Sequence, residues 1–283
     1  MELLLVIATV VLVVVPLLIA GMVLLVPTQF LTETKNNFIA KALIAAPYLL
    51  GLVAILAFNG HFRSTAHNIS LWLGIEITHI IVAIEGFAIV YFQEFLSGDA
   101  PIIFFTFMYV YGYVFLLVFP LIAYFVLENL DIFKSLTIAY MINYGFGLFL
   151  YTVFIAFGPR NIRPELLEEA MYLYYPQLHL LTSAVNEFTN VFPSLHTSLS
   201  ATVMIFAWHT RHIYERWVPI AMFVGASIIF STMYLAIHWM IDVVAGIGLA
   251  AISYWVGINA VRSSWFVSEK MSRAWASVIE SVR

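Results

Sequence analysis

The chain has 283 residues, of which 63% are hydrophobic and only 10% are charged, and its mean hydropathy is +0.98. Soluble domains carry about 25% charged residues, so this composition excludes a soluble enzyme and a disordered chain and indicates a polytopic membrane protein. The net charge of −4 excludes a broadly basic nucleic-acid binder. The absence of cysteine excludes disulfides, thiolate metal sites and cysteine nucleophiles.

Apolar runs long enough to cross a bilayer recur along the chain, since a membrane helix needs about 20 mainly apolar residues. The predicted spans are Leu3–Val26, Phe38–Phe58, Ile102–Leu127, Phe133–Phe157, Ser194–Trp208, Val218–Ile237 and Met240–Val261. The segment Ile69–Phe95 is also long enough, but it contains Glu76, His79 and Glu85. Carboxylates are costly at membrane depth and should face a bundle interior. We therefore expect seven or eight spans and favour eight.

The basic residues predict an orientation for the eight-span arrangement. One face collects Arg63, Lys134, Arg211, Arg216, Arg262, Lys270, Arg273 and Arg283, whereas the other has Lys35, Lys41, Arg160 and Arg163. The positive-inside rule then places both termini in the cytoplasm and the loop Gly158–Pro193 outside. The tail Ser263–Arg283 is predicted to be a short amphipathic helix at the cytoplasmic interface.

Polar residues next to the predicted spans are few, and one pair among them suggests catalysis. His238 and Asp242 are four residues apart and therefore share one face of a helix. A carboxylate in that position holds one imidazole nitrogen and leaves the other free and basic, as in a nucleophile or base with its orienting partner. The simpler interpretation is a His–Asp pair that only caps a helix end.

Two further clusters on the outer face supply groups that bind phosphate. Ser194 and His196 follow a proline at the start of an apolar helix, where free backbone N–H groups favour an anion. Arg160 and Arg163 carry guanidinium groups, which match phosphate oxygens with two parallel hydrogen bonds. Taken alone, these clusters also fit an ordinary helix start and a pair of headgroup-anchoring arginines. Together with His238 they form a set of groups for in-line attack on phosphorus.

These motifs resemble the type 2 phosphatidic acid phosphatase (PAP2) superfamily, whose signature is Lys-x6-Arg-Pro, Pro-Ser-Gly-His and Ser-Arg-x5-His-x3-Asp. The matching residues are Arg163-Pro164, Pro193-Ser194-Leu195-His196, Ser231, His238 and Asp242. Leu195 replaces the family glycine, and Thr232 replaces the arginine of the third part. The family lysine would fall at Ala156, so Arg160 is the expected substitute.

The resemblance covers about residues 100–262 and implies the fold class. That class is all-α, a polytopic membrane helix bundle with a six-helix core and extra N-terminal spans, seven to eight transmembrane helices in total. The chain then divides into an N-terminal transmembrane hairpin (1–68), a catalytic membrane domain (69–262) and an amphipathic cytoplasmic tail (263–283).

The resemblance also implies a role for each matching residue. His238 attacks phosphorus and forms a phosphohistidine, while Asp242 fixes the tautomer of its imidazole. His196 protonates the leaving alkoxide and then deprotonates water or an acceptor hydroxyl. The residues implied to bind the phosphoryl oxygens are Arg160, Arg163, Ser194 and Ser231. The scheme needs no metal and no cofactor.

The motifs that depart from the signature are similar to those of the inositol phosphorylceramide synthase branch. Members of this branch transfer a phosphoryl-inositol headgroup from one lipid to the hydroxyl of another. The expected partners are a lipid phosphate and a lipid hydroxyl acceptor, with no nucleic acid, and the expected site lies on the extracytoplasmic face of a cell membrane. The alternative within the family is simple hydrolysis of a polyprenyl diphosphate or phosphatidic acid.

Two other classes of function compete with an enzyme. A transporter could relay protons through Glu76, His79 and Glu85. The simpler interpretation of Glu76 and His79, which are three residues apart on one helical face, is a hydrogen bond to a neighbouring helix. A haem protein would need pairs of histidines that face each other across two spans. His79 is the only histidine that the sequence predicts to lie deep in the membrane. Neither class explains the clusters around Ser194 and His238.

Overall fold

A computed structural model describes residues 2–165, 167, 170–176, 178, 179 and 189–263. The predicted amphipathic tail 263–283 lies outside the described residues except for Ser263, so it stays a prediction. The regular structure is almost entirely helical, as the sequence predicts.

The helices are named here in chain order. The N-terminal ones are α1 (Glu2–Leu25), α2 (Thr28–Asn36), α3 (Phe38–Leu73), α4 (Thr78–Glu85) and α5 (Val90–Phe95). Next come α6 (Asp99–Phe107), a π-helical turn (Met108–Gly112), α7 (Tyr113–Phe125), α8 (Asp131–Val153), α9 (Pro159–Ile162) and α10 (Ala170–Tyr174). The last three are α11 (Leu195–His209), α12 (Trp217–Tyr234) and α13 (Met240–Arg262). Two short strands, β1 (Ile75–Glu76) and β2 (Phe154–Ile155), pair in parallel.

In the described part of the chain, six helical segments are long and apolar enough to cross a membrane. They are Leu4–Leu25, Phe38–Leu73, Asp99–Phe125, Asp131–Val153, Trp217–Tyr234 and Met240–Arg262. The protein is therefore an integral membrane helix bundle. The predicted span Ser194–Trp208 forms α11, which has 15 residues and is shorter than the helices above.

The segment Ile69–Phe95 is not the single membrane helix that we favoured. Its first residues belong to α3, which runs without a break to Leu73 and then gives way to β1, α4 and α5. Gly86 has a φ of 60°, in the left-handed region that favours glycine, and it ends α4 after eight residues. An eighth span at this position is therefore wrong.

Contacts between helix termini define two ends of the bundle, which are called the upper end and the lower end. The upper end carries the strand pair β1–β2, the start of α11 and the start of α13. Val6 of α1 packs there with Ile102 and Tyr234. At the lower end, Val26 packs with Val126 and Leu127. The first residues of α1 and the last residues of α13 consequently lie at opposite ends, whereas the eight-span arrangement places them on the same side.

Counted over the described residues alone, the eight-span arrangement divides the basic residues five to four, whereas the two ends of the bundle divide them six to three. Among the described residues, the lower end carries Lys35, Lys41, Lys134, Arg211, Arg216 and Arg262. The upper half carries Arg63, Arg160 and Arg163. Arg63, like Lys35 and Lys41, changes sides because Ile69–Phe95 is not a membrane span, and the loss of one span reverses the side of every residue before it.

The starts of α11 and α13 pack closely at the upper end. The Ser194 N–H donates to the carbonyl oxygen of Asp242 over 3.1 Å. A Cβ atom at Gly246 would lie 2.6 Å from the Ser194 carbonyl oxygen, so only glycine permits this approach. The packing brings the Pro193–His196 and His238–Asp242 motifs together from two distant parts of the chain.

Candidate active site

His238 lies in a tight turn between α12 and α13, and backbone hydrogen bonds hold that turn. The Thr232 carbonyl oxygen accepts from the N–H groups of both Ile237 and His238 over 3.0 Å. Ala236 has a φ of 53°, which is uncommon for a residue with a Cβ atom. These contacts fix the backbone conformation of the turn, and they therefore fix the position from which the His238 side chain projects.

The neighbouring segment 156–162 supports the same turn from outside. The Arg160 N–H donates to the Ala236 carbonyl over 3.2 Å, and Trp239 Nε1 donates to the Phe157 carbonyl over 2.8 Å. A Cβ atom at Gly158 would lie 2.5 Å from the Ile237 carbonyl oxygen, so this contact requires glycine. The first family motif thus braces the backbone of the third.

His238 faces Asp242 across the first turn of α13. The distance from His238 Nδ1 to Asp242 Oδ2 is 3.5 Å, and both side chains are almost fully buried. The same Oδ2 accepts the Trp239 N–H over 2.7 Å, so the carboxylate also caps the helix. Because Nδ1 is directed at the carboxylate, Nε2 is the nitrogen of His238 that remains for a substrate.

Ser194 begins α11 as its N-cap. Its Oγ accepts the N–H of Thr197 over 3.3 Å, and its side chain is fully buried. The Phe192–Pro193 peptide bond that precedes it is cis. The hydroxyl predicted to bind phosphate is thus engaged in capping the helix that carries His196.

His196 is held between the π-helical turn and α7 by two tyrosines. The Tyr109 ring stacks on the imidazole with centroids 4.3 Å apart, and the Tyr113 ring lies 4.1 Å away. The π-helical turn shifts the register of the helix there, and such turns are frequent at functional sites. The two rings fix the plane of the imidazole.

A cavity of about 500 Å³ joins the two histidines. Its upper lining includes His196, His238, Tyr109, Tyr151 and Arg63, and its deeper walls are mainly apolar. A volume of this size is typical of a site for a small molecule or part of a lipid.

The other predicted phosphate-binding residues lie outside the lining of this cavity. Arg160 donates from Nη2 to the Tyr172 hydroxyl over 3.1 Å, beside the turn that carries His238. Arg163 is half exposed, bonds Glu165 over 3.0 Å and lies over the Phe87 ring. Ser231 is buried and donates to the Ile228 carbonyl of its own helix over 2.6 Å. Their predicted role in phosphate binding stays a prediction.

Two residues near the site were missed as site residues. Glu85 of α4 accepts the N–H groups of Met240, over 2.9 Å, and of Ile241, and thereby caps the start of α13. Burial raises the pKa of this carboxyl above its ordinary value, although the two N–H groups act in the opposite direction. The sequence contained a signal for Glu85, because a carboxylate in an apolar segment requires a partner. Arg63 was missed because the span count placed it on the wrong side.

The other two residues of the transporter hypothesis are separate from the cavity. Glu76 Oε2 lies 2.8 Å from His79 Nδ1, and Glu76 Oε1 accepts the Thr78 N–H over 2.7 Å. Both side chains are largely exposed, and the pair lies within one segment rather than between helices. Among the described residues, no group of three or more His, Asp or Glu side chains is placed to hold a metal ion.

Comparison with known proteins gives one match. A sequence model of the PAP2 superfamily matches residues 79–256, which is more than half of the chain and includes all three motifs. No curated protein and no solved structure matches the chain. The matched region contains His196, His238 and Asp242, and begins after the helices α1 and α3. The chain therefore belongs to the PAP2 superfamily.

Proposed function

We propose that the protein is a membrane enzyme that cleaves a phosphate ester bond of a lipid through a phosphohistidine on His238. Membership of the PAP2 superfamily indicates a membrane phosphatase-type function, since its members are generally phosphatases. The observation that carries the proposal is the His238–Asp242 pair, 3.5 Å apart and buried, in one cavity with His196.

The first half of the reaction transfers the phosphoryl group to the enzyme. His238 Nε2 attacks phosphorus, the P–N bond forms, and the P–O bond to the lipid breaks. Protonated His196 gives its proton to the leaving oxygen, so the lipid departs as an alcohol. The imidazole of His238 becomes positively charged, and the Asp242 carboxylate stabilises that charge.

The second half regenerates the histidine. Neutral His196 takes a proton from an acceptor hydroxyl, the acceptor oxygen attacks phosphorus, and the P–N bond breaks. With water as the acceptor the product is inorganic phosphate. With a lipid hydroxyl it is a new phosphate ester, and with a phosphodiester donor the whole headgroup is transferred.

The surroundings of His196 favour the transfer reaction as a second candidate. Tyr109 and Tyr113 cover its ring, and Leu195 lines the cavity beside it in place of the family glycine. A dry site slows attack by water and admits a hydroxyl that a lipid carries. Inositol phosphorylceramide synthase-like headgroup transfer is the specific form of this proposal.

The distribution of basic residues supports an extracytoplasmic site. Six of the described Lys and Arg residues lie at the lower end, namely Lys35, Lys41, Lys134, Arg211, Arg216 and Arg262. The positive-inside rule therefore orients the lower end towards the cytoplasm and the cavity of His238 away from it.

The test is product analysis with purified protein in lipid nanodiscs. Labelled lipid phosphate is incubated with and without a hydroxylated lipid, and the products are separated. We expect wild-type protein and His212→Ala, a control at the lower end, to convert substrate and His238→Ala to be inactive. Activity that persists in His238→Ala contradicts the mechanism. Phosphate as the sole product, at the same rate with acceptor, contradicts transfer and leaves hydrolysis.

A further inference from the structure

The helix α3 contributes a continuous face to the cavity, although it lies outside the family match. Leu56, Asn59, Gly60 and Arg63 line the cavity, and they occupy positions i, i+3, i+4 and i+7 of the helix. This spacing puts them on one side of the helix. Because α3 ends at the upper end, Arg63 is the nearest of the four to the histidines, and Leu56 is roughly 10 Å deeper.

Arg63 is a cation in the interior of a membrane-spanning helix. It lies ten residues before the end of α3, which corresponds to roughly 15 Å along the helix. In membrane helix bundles, charged side chains that face a cavity mark substrate paths. Arg63 lines the same cavity as His196 and His238, where a phosphoryl group would need positive charge around its oxygens.

None of the three positions from which the family signature supplies cations places a charge in the lining of the cavity. Ala156 is buried and has no charge, and Thr232 directs its hydroxyl to the Ile229 carbonyl of its own helix. Arg163 lies outside the cavity and pairs with Glu165. Arg63 therefore brings to the cavity the type of charge that these positions lack.

The same cavity continues as an apolar cleft between α1 and α3. α1 packs against α7 and the π-helical turn, whereas α3 packs against α8, and α1 and α3 are not packed against each other along their lengths. Val11 of α1 lines the cavity yet is 53% exposed, and Leu56 of α3 lines it yet is 41% exposed. The cavity is thus open sideways, at a depth where hydrocarbon surrounds the protein.

We propose that α1 and α3 form the lipid-binding part of the active site, with Arg63 on the phosphate oxygens and the cleft beside Gly60 holding the hydrocarbon chain. The proposal rests on the lipid phosphate activity proposed above and adds residues outside the matched region. Its occupant is one molecule, because the polar end of the cavity contains the histidines and its apolar end opens towards lipid.

A substitution at Gly60 tests whether the cleft binds the hydrocarbon chain of the lipid, without disturbing the fold. A Cβ atom built at Gly60 meets no atom within 4 Å, so a side chain there extends into open space. Leucine is also a better helix former than glycine. Gly145 of α8 and Gly248 of α13 have the same open surroundings, are exposed and do not line the cavity, which makes them matched controls.

The experiment measures binding of long-chain and short-chain alkylphosphonates, which have no ester bond to cleave, to protein in nanodiscs. Gly60→Leu should lower the ratio of long-chain to short-chain affinity about tenfold or more, since it displaces methylene groups from the cleft. Arg63→Gln should weaken both ligands about equally, by roughly 10- to 100-fold, and Arg63→Lys should weaken them less. Gly145→Leu and Gly248→Leu should bind as wild type does.

The outcomes separate this inference from the proposed function. An unchanged chain-length ratio in Gly60→Leu, or unchanged phosphonate affinity in Arg63→Gln, overturns the inference even if the protein converts lipid phosphates. Binding that follows the expected pattern in a protein that converts no lipid phosphate supports the site and overturns the enzymatic function.

Discussion

Replacement of Asp242 by Asn separates the electrostatic role of this residue from its structural role. The carboxylate lies 3.5 Å from His238 Nδ1, and it accepts the Trp239 N–H over 2.7 Å. The Asn amide oxygen is able to keep the second contact, but Asn has no charge to oppose the imidazolium that forms during attack. Asp242→Asn is therefore expected to reduce kcat strongly while leaving the start of α13 intact.

The size of the loss follows from the observed distance. Two unit charges about 4 Å apart interact by about 4 kcal/mol at an effective dielectric constant of about 20. Loss of that interaction in the transition state lowers kcat by about 10³-fold. Asp242→Ala also removes the acceptor of the Trp239 N–H, which costs a further ~1–3 kcal/mol in folding free energy.

The assay compares both variants with wild type for kcat and for thermal unfolding in nanodiscs. Both variants should lose similar activity, but only Asp242→Ala should unfold at a clearly lower temperature. The losses from His238→Ala and Asp242→Asn should not add in the double variant, because the two side chains act as one unit. A kcat for Asp242→Asn within about tenfold of wild type would refute the electrostatic role.

Three further predictions follow from the same geometry. His196→Ala should slow substrates with poor leaving groups much more than activated aryl phosphates, which need no proton on departure; equal losses on both contradict its role as the acid. Burial raises the pKa of Glu85 above its ordinary value of 4.5. Protonation of Glu85 therefore contributes to the stability of the folded protein below pH 4.5, and this contribution is lost as pH rises through the raised pKa. The unfolding temperature of wild type relative to Glu85→Gln should therefore fall as pH rises above 4.5 through the raised pKa, and a rise contradicts the raised pKa. Asn161→Cys should react with an impermeant thiol reagent from the side opposite to Glu215→Cys, and reaction of both from one side contradicts the two-ended bundle.

Much of the helical architecture was predictable from the sequence, because long apolar runs have few alternatives in a membrane. The exception, Ile69–Phe95, shows the limit of length and hydropathy. The first residues of this segment continue α3, and the break after Leu73 depends on pairing of β1 with β2, about 80 residues away in the chain. No local pattern reports a contact at that distance.

The active site was partly predictable for a related reason. The spacing of His238 and Asp242 predicts proximity, because four residues on a helix define a face. The place of Arg63 and Glu85 beside these residues depends on how α3 and α4 pack against the rest of the bundle. An error of one span also reverses the side of every residue before it, and this moved Arg63 to the wrong face in the sequence analysis.

The phosphohistidine itself offers the most direct test of the central claim. Purified protein is mixed with labelled lipid phosphate, quenched in alkali to preserve phosphorus–nitrogen bonds, digested and analysed by mass spectrometry. The account predicts one phosphoryl group on His238 in wild type and none in His238→Ala. It also predicts more label in His196→Ala given an activated substrate, because that variant lacks the base for the second step. Label on another residue, or turnover without any label on His238, would contradict the account.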